Sequence, residues 1–81
     1  MHIATVDMLS EMLRDHRHRQ NRSQTRVAED IGIKQATVSA LENRPGKSKV
    51  ETLFKVLSAL NLELHICEKK TDADEDWKHP W

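Results

Sequence analysis

The 81-residue sequence predicts a mainly α-helical domain of four helices, followed by one C-terminal β-strand that pairs across a homodimer. Three observations predict this class. Apolar residues recur at helical spacing in four separate segments. A three-residue turn containing Gly32 separates the second segment from the third, which is typical of a helix-turn-helix. After residue 61 the apolar period changes from that of a helix to that of a strand.

The first helix is predicted from about Thr5 to Arg19. Apolar side chains repeat along one side of it at Val6, Leu9, Met12 and Leu13, and the opposite side is polar. This pattern is that of a helix packed on a core by one face.

The second helix is predicted over Gln24–Ile31, because Ser23 can cap its start and Gly32 can end it. The third lies in the stretch IKQATVSALENR, residues 33–44, with Val38 and Leu41 on its inner side. The outer side carries small, uncharged residues: Gln35, Ala36, Ser39 and Ala40. A helix that needed only to be soluble would carry charges there, so this helix is expected to lie against another surface.

The fourth helix is predicted from about Lys49 to Asn61. Ser48 and Glu51 have the spacing of a capping box at its start. Its apolar face is expected to contain Val50, Leu53, Phe54, Leu57 and Leu60.

The strand is predicted over residues 62–68, where Leu62, Leu64 and Ile66 alternate with more polar residues. No second strand pattern occurs in the sequence, so the partner is expected to be the same strand of another subunit. Two alternatives are that this segment extends the fourth helix or forms an irregular cap over the core.

One small domain and a tail are expected. Residues 1–70 are predicted to form a helix-turn-helix DNA-binding and dimerisation domain, and residues 71–81 a disordered acidic tail. Large aromatic residues anchor interfaces, so Trp77 and Trp81 in this tail are expected to contact a partner or to fold back on the domain.

Charge is unevenly distributed although the formal net charge is zero. Between Arg14 and Lys49 nine basic residues face four acidic ones, whereas residues 61–81 contain three lysines and six acids. This asymmetry favours a basic binding face and a separate acidic tail. The single Cys67, the lack of a long apolar run and the lack of a signal-peptide pattern favour a cytoplasmic, nucleoid-associated protein that does not enter a membrane.

Catalytic and metal-binding patterns are not found in the sequence. His16 and His18 are two residues apart and diverge on a helix, and Cys67 fits a small packing residue. With no glycine-rich phosphate loop either, we expect a non-enzymatic protein without metal or cofactor.

A nucleic-acid surface explains the uncharged face of the third helix, because close approach to a major groove favours short side chains. Base-edge contacts are expected from Lys34, Gln35, Ala36, Ser39 and Ala40. Phosphate contacts are expected from Gln24, Thr37, Asn43, Arg44, Lys47 and Lys49. Each of these residues can alternatively be an ordinary solvated side chain.

Glu42 lies in the last turn of the third helix, where a carboxylate opposes the helix dipole. It is therefore expected to have a cationic partner. Arg17 on the first helix is the candidate, in a partly buried ion pair that fixes the orientation of the two helices.

The run SQTRVAEDIGIKQATVSALE, residues 23–42, resembles the Cro/C1 phage-repressor (XRE) family of helix-turn-helix proteins. IGIKQATVSALEN, the following LFKVLSALNLEL and the C-terminal Trp81 resemble more narrowly the HipB-type antitoxins of that family. The resemblance implies a homodimer that binds palindromic operator DNA and represses its own operon. It also implies a HipA-type serine/threonine kinase toxin as partner, with Arg17 and Glu42 matching the family's ion pair.

Three functions stay open on the sequence alone. The first is an operator-binding antitoxin, and the second is a free-standing phage-like repressor without a toxin. The third is a helix-turn-helix domain that serves only as a protein-binding scaffold. A neighbouring gene for a kinase would favour the first, and failure to bind DNA would leave the third.

Overall fold

A computed structural model of the protein describes residues 2–69. Four α-helices follow one another: α1 (Val6–Arg19), α2 (Gln24–Ile31), α3 (Gln35–Asn43) and α4 (Val50–Ala59). A short 3₁₀ helix, Pro45–Lys47, connects α3 to α4. The four predicted helices and the turn between α2 and α3 are confirmed.

The ends of α1 and α2 follow from local side-chain chemistry. The hydroxyl of Thr5 accepts a hydrogen bond from the backbone N–H of Met8, and the hydroxyl of Ser23 accepts one from Arg26. Gly32 ends α2 at φ 69°, a left-handed conformation in which a Cβ atom is strained. The predicted capping roles of Ser23 and Gly32 are therefore confirmed.

The capping box predicted for α4 is wrong. The N-cap of α4 is Lys49, and no side-chain hydrogen bond caps this helix. Ser48 instead ends the 3₁₀ helix, donating its backbone N–H to the carbonyl of Pro45 at 3.1 Å. The 3₁₀ turn thus moves the start of α4 one residue beyond the position at which Ser48 could cap it.

The core lies between all four helices. Its buried side chains are Leu13, Val27, Ala28, Val38, Leu41, Val56, Leu57 and Leu60. Leu9, Met12, Ile31, Ile33, Leu53, Ala59 and Leu62 pack around them and are partly buried. The two inner residues predicted for α3, Val38 and Leu41, both belong to this core.

Three residues predicted to face the core are instead exposed. Val6 is 51% exposed, and Val50 and Phe54 of α4 are 67% and 52% exposed. The inner side of α4 contains Val56, which the sequence did not predict there, together with the predicted Leu57 and Leu60. Val50 and Phe54 are left on the surface of the chain.

Residues 62–69 have no regular secondary structure in this single chain. The alternative that this segment extends α4 is wrong, because α4 ends at Ala59. A strand is defined by its hydrogen bonds to a neighbouring strand, so pairing with a second copy stays a prediction. The predicted acidic tail, with Trp77 and Trp81, lies outside the described residues.

Candidate nucleic-acid interface

The outer side of α3 presents the short side chains that the sequence predicted there. Gln35 and Ala36 are exposed in its first turn, and Ser39 and Ala40 are partly exposed one turn later. Lys34 is the exposed N-cap of the helix and makes no side-chain cap hydrogen bond. No acidic residue interrupts this face, since the single acid of α3, Glu42, is buried.

The residues predicted to contact phosphates surround this face. Asn43, Arg44, Lys47 and Lys49 are exposed at the end of α3 and in the segment that joins it to α4. Asn43 donates its side-chain amide to the hydroxyl of Ser39 at 3.1 Å. Thr37 is partly buried, and Gln24 is partly buried at the start of α2. Three of the basic side chains, Arg44, Lys47 and Lys49, therefore lie beyond the C-terminal end of α3, and Gln24 lies near its N-terminal end, where it contacts Gln35.

Arg17 and Glu42 are in direct contact, and the contact is buried. Arg17 Nε lies 2.7 Å from Glu42 Oε2, and Arg17 Nη2 lies 3.0 Å from Glu42 Oε1. The two side chains are 9% and 2% exposed. Two parallel N–H···O bonds from one guanidinium fix both position and rotation, so this bridge orients α3 on α1.

The carboxylate of Glu42 is held ionised by its neighbours. Burial by itself would raise the pKa of Glu42, but hydrogen bonds from Arg17 and Gln24 and the charges of Arg17 and Arg14 outweigh it. The net effect is a pKa below the usual glutamate value.

Two further contacts to Glu42 were not found by sequence reasoning. Arg14 donates from Nη2 to the backbone carbonyl of Glu42 at 2.9 Å, one turn before Arg17 on α1. Gln24 donates from Nε2 to Glu42 Oε1 at 3.0 Å. The spacing of Arg14 and Arg17 on one side of α1 is the sequence signal for the first contact.

A chain of hydrogen bonds connects this buried bridge to the exposed face of α3. Gln24 also accepts a hydrogen bond through Oε1 from Gln35 Nε2 at 2.6 Å. Gln35 is thereby linked through Gln24 to Glu42 and Arg17. The amide of Gln35 is thus oriented at the surface before any ligand is bound, which lowers the entropy lost on binding.

A separate apolar surface lies where α4 continues into residues 62–69. Leu64 and Ile66 are 44% and 91% exposed, and Phe54 and Leu64 line a shallow groove there. Exposed apolar patches of this kind mark protein contacts. The three residues predicted for dimerisation differ in their exposure. Leu62 packs against the core, whereas Leu64 and Ile66 are exposed.

Neither a metal site nor a membrane span is found within residues 2–69. No three His, Cys, Asp or Glu side chains of this region are grouped to hold a metal ion. None of its helices has the length and apolar character needed to cross a bilayer. Cys67 is a free, exposed thiol and not the packed residue that the sequence suggested.

The fold and this face define a helix-turn-helix protein, and the sequence profile of the helix-turn-helix family matches residues 13–66. The chain belongs to that family. It is similar to Antitoxin HipB of Escherichia coli O6:H1 (strain CFT073), with 42% identity over 53 residues, which are 65% of this chain and 56% of that protein. Antitoxin HipB of Escherichia coli K12 is likewise 42% identical over 53 residues, or 60% of its length. The chain thus matches somewhat more than half of these curated relatives.

Solved structures show similarity to HipB chains over a larger part of this chain. A HipA-HipB-O2-O3 complex contains a chain that superposes with a TM-score of 0.84 and 34% identity, over 86% of this chain and 99% of that one. A chain of a HipB-O4 20mer complex gives a TM-score of 0.85 at the same identity and the same coverage.

Proposed function

We propose that this protein is an antitoxin and transcriptional autorepressor that binds palindromic operator DNA as a homodimer and neutralises a HipA-type kinase toxin. The observation that carries the DNA-binding part is the uncharged outer face of α3, held in place by the buried Arg17–Glu42 bridge and bordered by basic residues. The antitoxin part is supported by the similarity to Antitoxin HipB and to chains of HipB complexes with HipA and with operator DNA.

In this proposal α3 enters the major groove. Lys34 and Gln35 read base edges, with the amide of Gln35 suited to adenine and the ammonium of Lys34 to guanine. Ala36 and Ala40 pack against thymine methyl groups, and Ser39 contacts a base or a phosphate. The remaining polar and basic residues fix the register on the backbone: Gln24, Thr37, Asn43, Arg44, Lys47 and Lys49.

Dimerisation is supported by the apolar surface at residues 62–69. Leu64 and Ile66 alternate with polar residues in a segment without regular secondary structure, and its backbone groups are available for pairing. Pairing of this segment with its copy covers those side chains and satisfies the backbone. It also places two α3 helices on one DNA duplex, as a palindromic operator requires.

The tail is assigned to the toxin. Residues 71–81 are acidic in sequence, and Trp77 and Trp81 among them supply the large aromatic anchors that a partner pocket can take. The protein itself carries out no chemistry, needs no cofactor, and acts in the cytoplasm at the nucleoid.

DNA binding is tested with the DNA that lies upstream of the protein's own gene and with a random duplex of equal length. Gln35→Ala should weaken binding to the upstream DNA by about 1–3 kcal/mol and leave binding to the random duplex unchanged. Lys47→Ala should weaken both about equally, because a phosphate contact reads no sequence. Equal losses on both duplexes for both variants would remove Gln35 from the base-reading residues.

Toxin binding is tested by affinity capture from the native host, with the full chain and with a chain that ends at residue 70. Mass spectrometry should identify a kinase with the full chain and lose it with the shortened one. Purified antitoxin should then inhibit that kinase's phosphoryl transfer. Recovery of operator DNA without any kinase would indicate a free-standing repressor.

A further inference from the structure

Two side chains of the turn between α1 and α2 hold the C-terminal end of α4. Gln20 donates from Nε2 to the backbone carbonyl of Leu60 at 2.9 Å. Arg22 donates from Nη1 to the carbonyl of Ala59. The last carbonyls of a helix have no partner within the helix and carry partial negative charge, so a guanidinium and an amide are well suited to them.

The side chain of Arg22 connects three parts of the protein. Besides Ala59 it forms an ion pair with Asp30 of α2, and it is 23% exposed. Its own backbone carbonyl accepts a hydrogen bond from Arg17 Nη1 at 2.9 Å. Because Arg17 also binds Glu42, an unbroken series of polar contacts runs from α3 to the end of α4.

The contacts of Gln20 and Arg22 with the carbonyls of Leu60 and Ala59, which we call the Gln20–Arg22 clamp, lie where residues 62–69 leave the domain. Asn61 takes a left-handed conformation with φ 59°, and the N–H of Leu62 returns to the carbonyl of Leu57 at 2.8 Å. Leu60 is buried and Leu62 packs against the core. The direction in which the chain leaves α4 is therefore fixed within two residues of the carbonyls that Gln20 and Arg22 hold.

We infer that Gln20 and Arg22 are positioning residues that set the separation and relative orientation of the two α3 helices in the dimer. This inference rests on the proposed dimer through residues 62–69. That segment is the joint between the two subunits, and the Gln20–Arg22 clamp fixes the joint to the helix-turn-helix unit. Without the clamp the end of α4 keeps its core packing but loses two polar contacts that fix its orientation, so the two α3 helices sample a wider range of spacings.

The test measures the distance between the two α3 helices without DNA. A spin label is attached at Ala36→Cys in a Cys67→Ser background, and pulsed electron paramagnetic resonance gives the label-to-label distance distribution in the dimer. Arg22→Ala should broaden this distribution about twofold, because a released joint samples many orientations. Gln20 is exposed and donates one hydrogen bond to α4. Gln20→Ala should therefore broaden the distance distribution less than Arg22→Ala does.

Arg26→Ala is the matched control. Arg26 Nε lies 3.4 Å from the same Asp30, but the Arg26 side chain is 68% exposed. Within residues 2–69 it forms no hydrogen bond or ion pair with α4. It should keep the distribution of the parent protein. Equal widths for Arg22→Ala, Gln20→Ala and Arg26→Ala would overturn the inference while leaving the dimer intact.

Sedimentation equilibrium separates this outcome from failure of the proposed function. A monomeric parent protein would overturn the dimer and the positioning role together. Far-ultraviolet circular dichroism confirms that each variant keeps its helices. If Arg22→Ala does not fold, the comparison of Gln20→Ala with Arg26→Ala decides the question.

Discussion

At the scale of single residues, the bridge between Arg17 and Glu42 is the contact on which the interface depends most. Removing one partner of a buried ion pair leaves the other charge buried without compensation. Arg17→Ala should therefore lower the free energy of unfolding by about 3–5 kcal/mol, measured by urea denaturation. Arg19→Ala, which breaks the exposed pair with Asp15, should cost about 0.5 kcal/mol or less. Equal stability of the two variants would contradict the structural role of the bridge.

The ionisation of Glu42 should make stability depend on pH in the acid range. Its pKa is lower in the folded protein than in the unfolded chain, so its contribution to stability is complete above the ordinary glutamate pKa of the unfolded chain. The contribution is lost as the pH falls through the lower, folded value.

Glu42→Gln removes this titrating group. The variant should be less stable than the parent at pH 7, and its free energy of unfolding should fall less steeply below about pH 5. Urea denaturation at a series of pH values measures both slopes. The same slope in both proteins over this range would show that Glu42 does not titrate as the structure indicates.

At the scale of secondary-structure elements, the turn between α2 and α3 sets the angle at which α3 is presented. Gly32 has φ 69°, and a Cβ atom built there meets nothing within 4 Å. Gly32→Ala therefore suffers conformational strain alone, about 1 kcal/mol of unfolding free energy. Gly46→Ala is the control, because Gly46 is equally uncrowded and has no positive φ. Thermal denaturation should show a loss for the first variant and little change for the second.

The elements that the sequence predicted well are those whose signals are local. Ser23 starts α2 through a side-chain hydrogen bond, and Gly32 ends it through its left-handed backbone; both signals lie within a few residues of the helix ends. The prediction that Ser48 caps α4 was wrong because a 3₁₀ helix at Pro45–Lys47 displaces the start of α4. The sequence of this short segment does not specify a 3₁₀ conformation. The prediction that Val50 and Phe54 face the core was wrong because an apolar stripe on a helix does not indicate whether the same subunit or another one covers it.

The same distinction applies to the site. Glu42 could be assigned a cationic partner because a carboxylate at the end of a helix is unfavourable without one. The contacts of Arg14 with the Glu42 carbonyl and of Gln24 with its carboxylate depend on how three helices cross. Such contacts between long side chains and atoms distant in the sequence leave no periodic signal. The hydrogen bonds that link Glu42 through Gln24 to Gln35 could therefore be identified only from the structure.

At the scale of the whole molecule, charge and apolar surface are separated along the chain. Residues 14–49, which include the helix-turn-helix, carry nine basic and four acidic side chains, whereas residues 61–81 carry three lysines and six acids. Two basic surfaces on one duplex release more counterions than one, so a dimer binds DNA with a steeper dependence on salt than a monomer. In the proposed dimer, the apolar surface at residues 62–69 thus sets the number of units that bind the duplex together.

Ile66 tests this coupling, because it is the most exposed of the large apolar residues within residues 2–69, at 91%. Ile66→Asp places a charge in the proposed subunit joint and should give a monomer in sedimentation equilibrium. The salt slope of binding to the upstream DNA should fall to about half, because one helix-turn-helix neutralises about half as many phosphates. Val6→Asp, at an exposed apolar position on α1, should keep both the dimer and the parent slope. A monomer that retained the full slope would show that two copies are not needed to occupy the operator, and a dimer that persisted in Ile66→Asp would place the joint elsewhere.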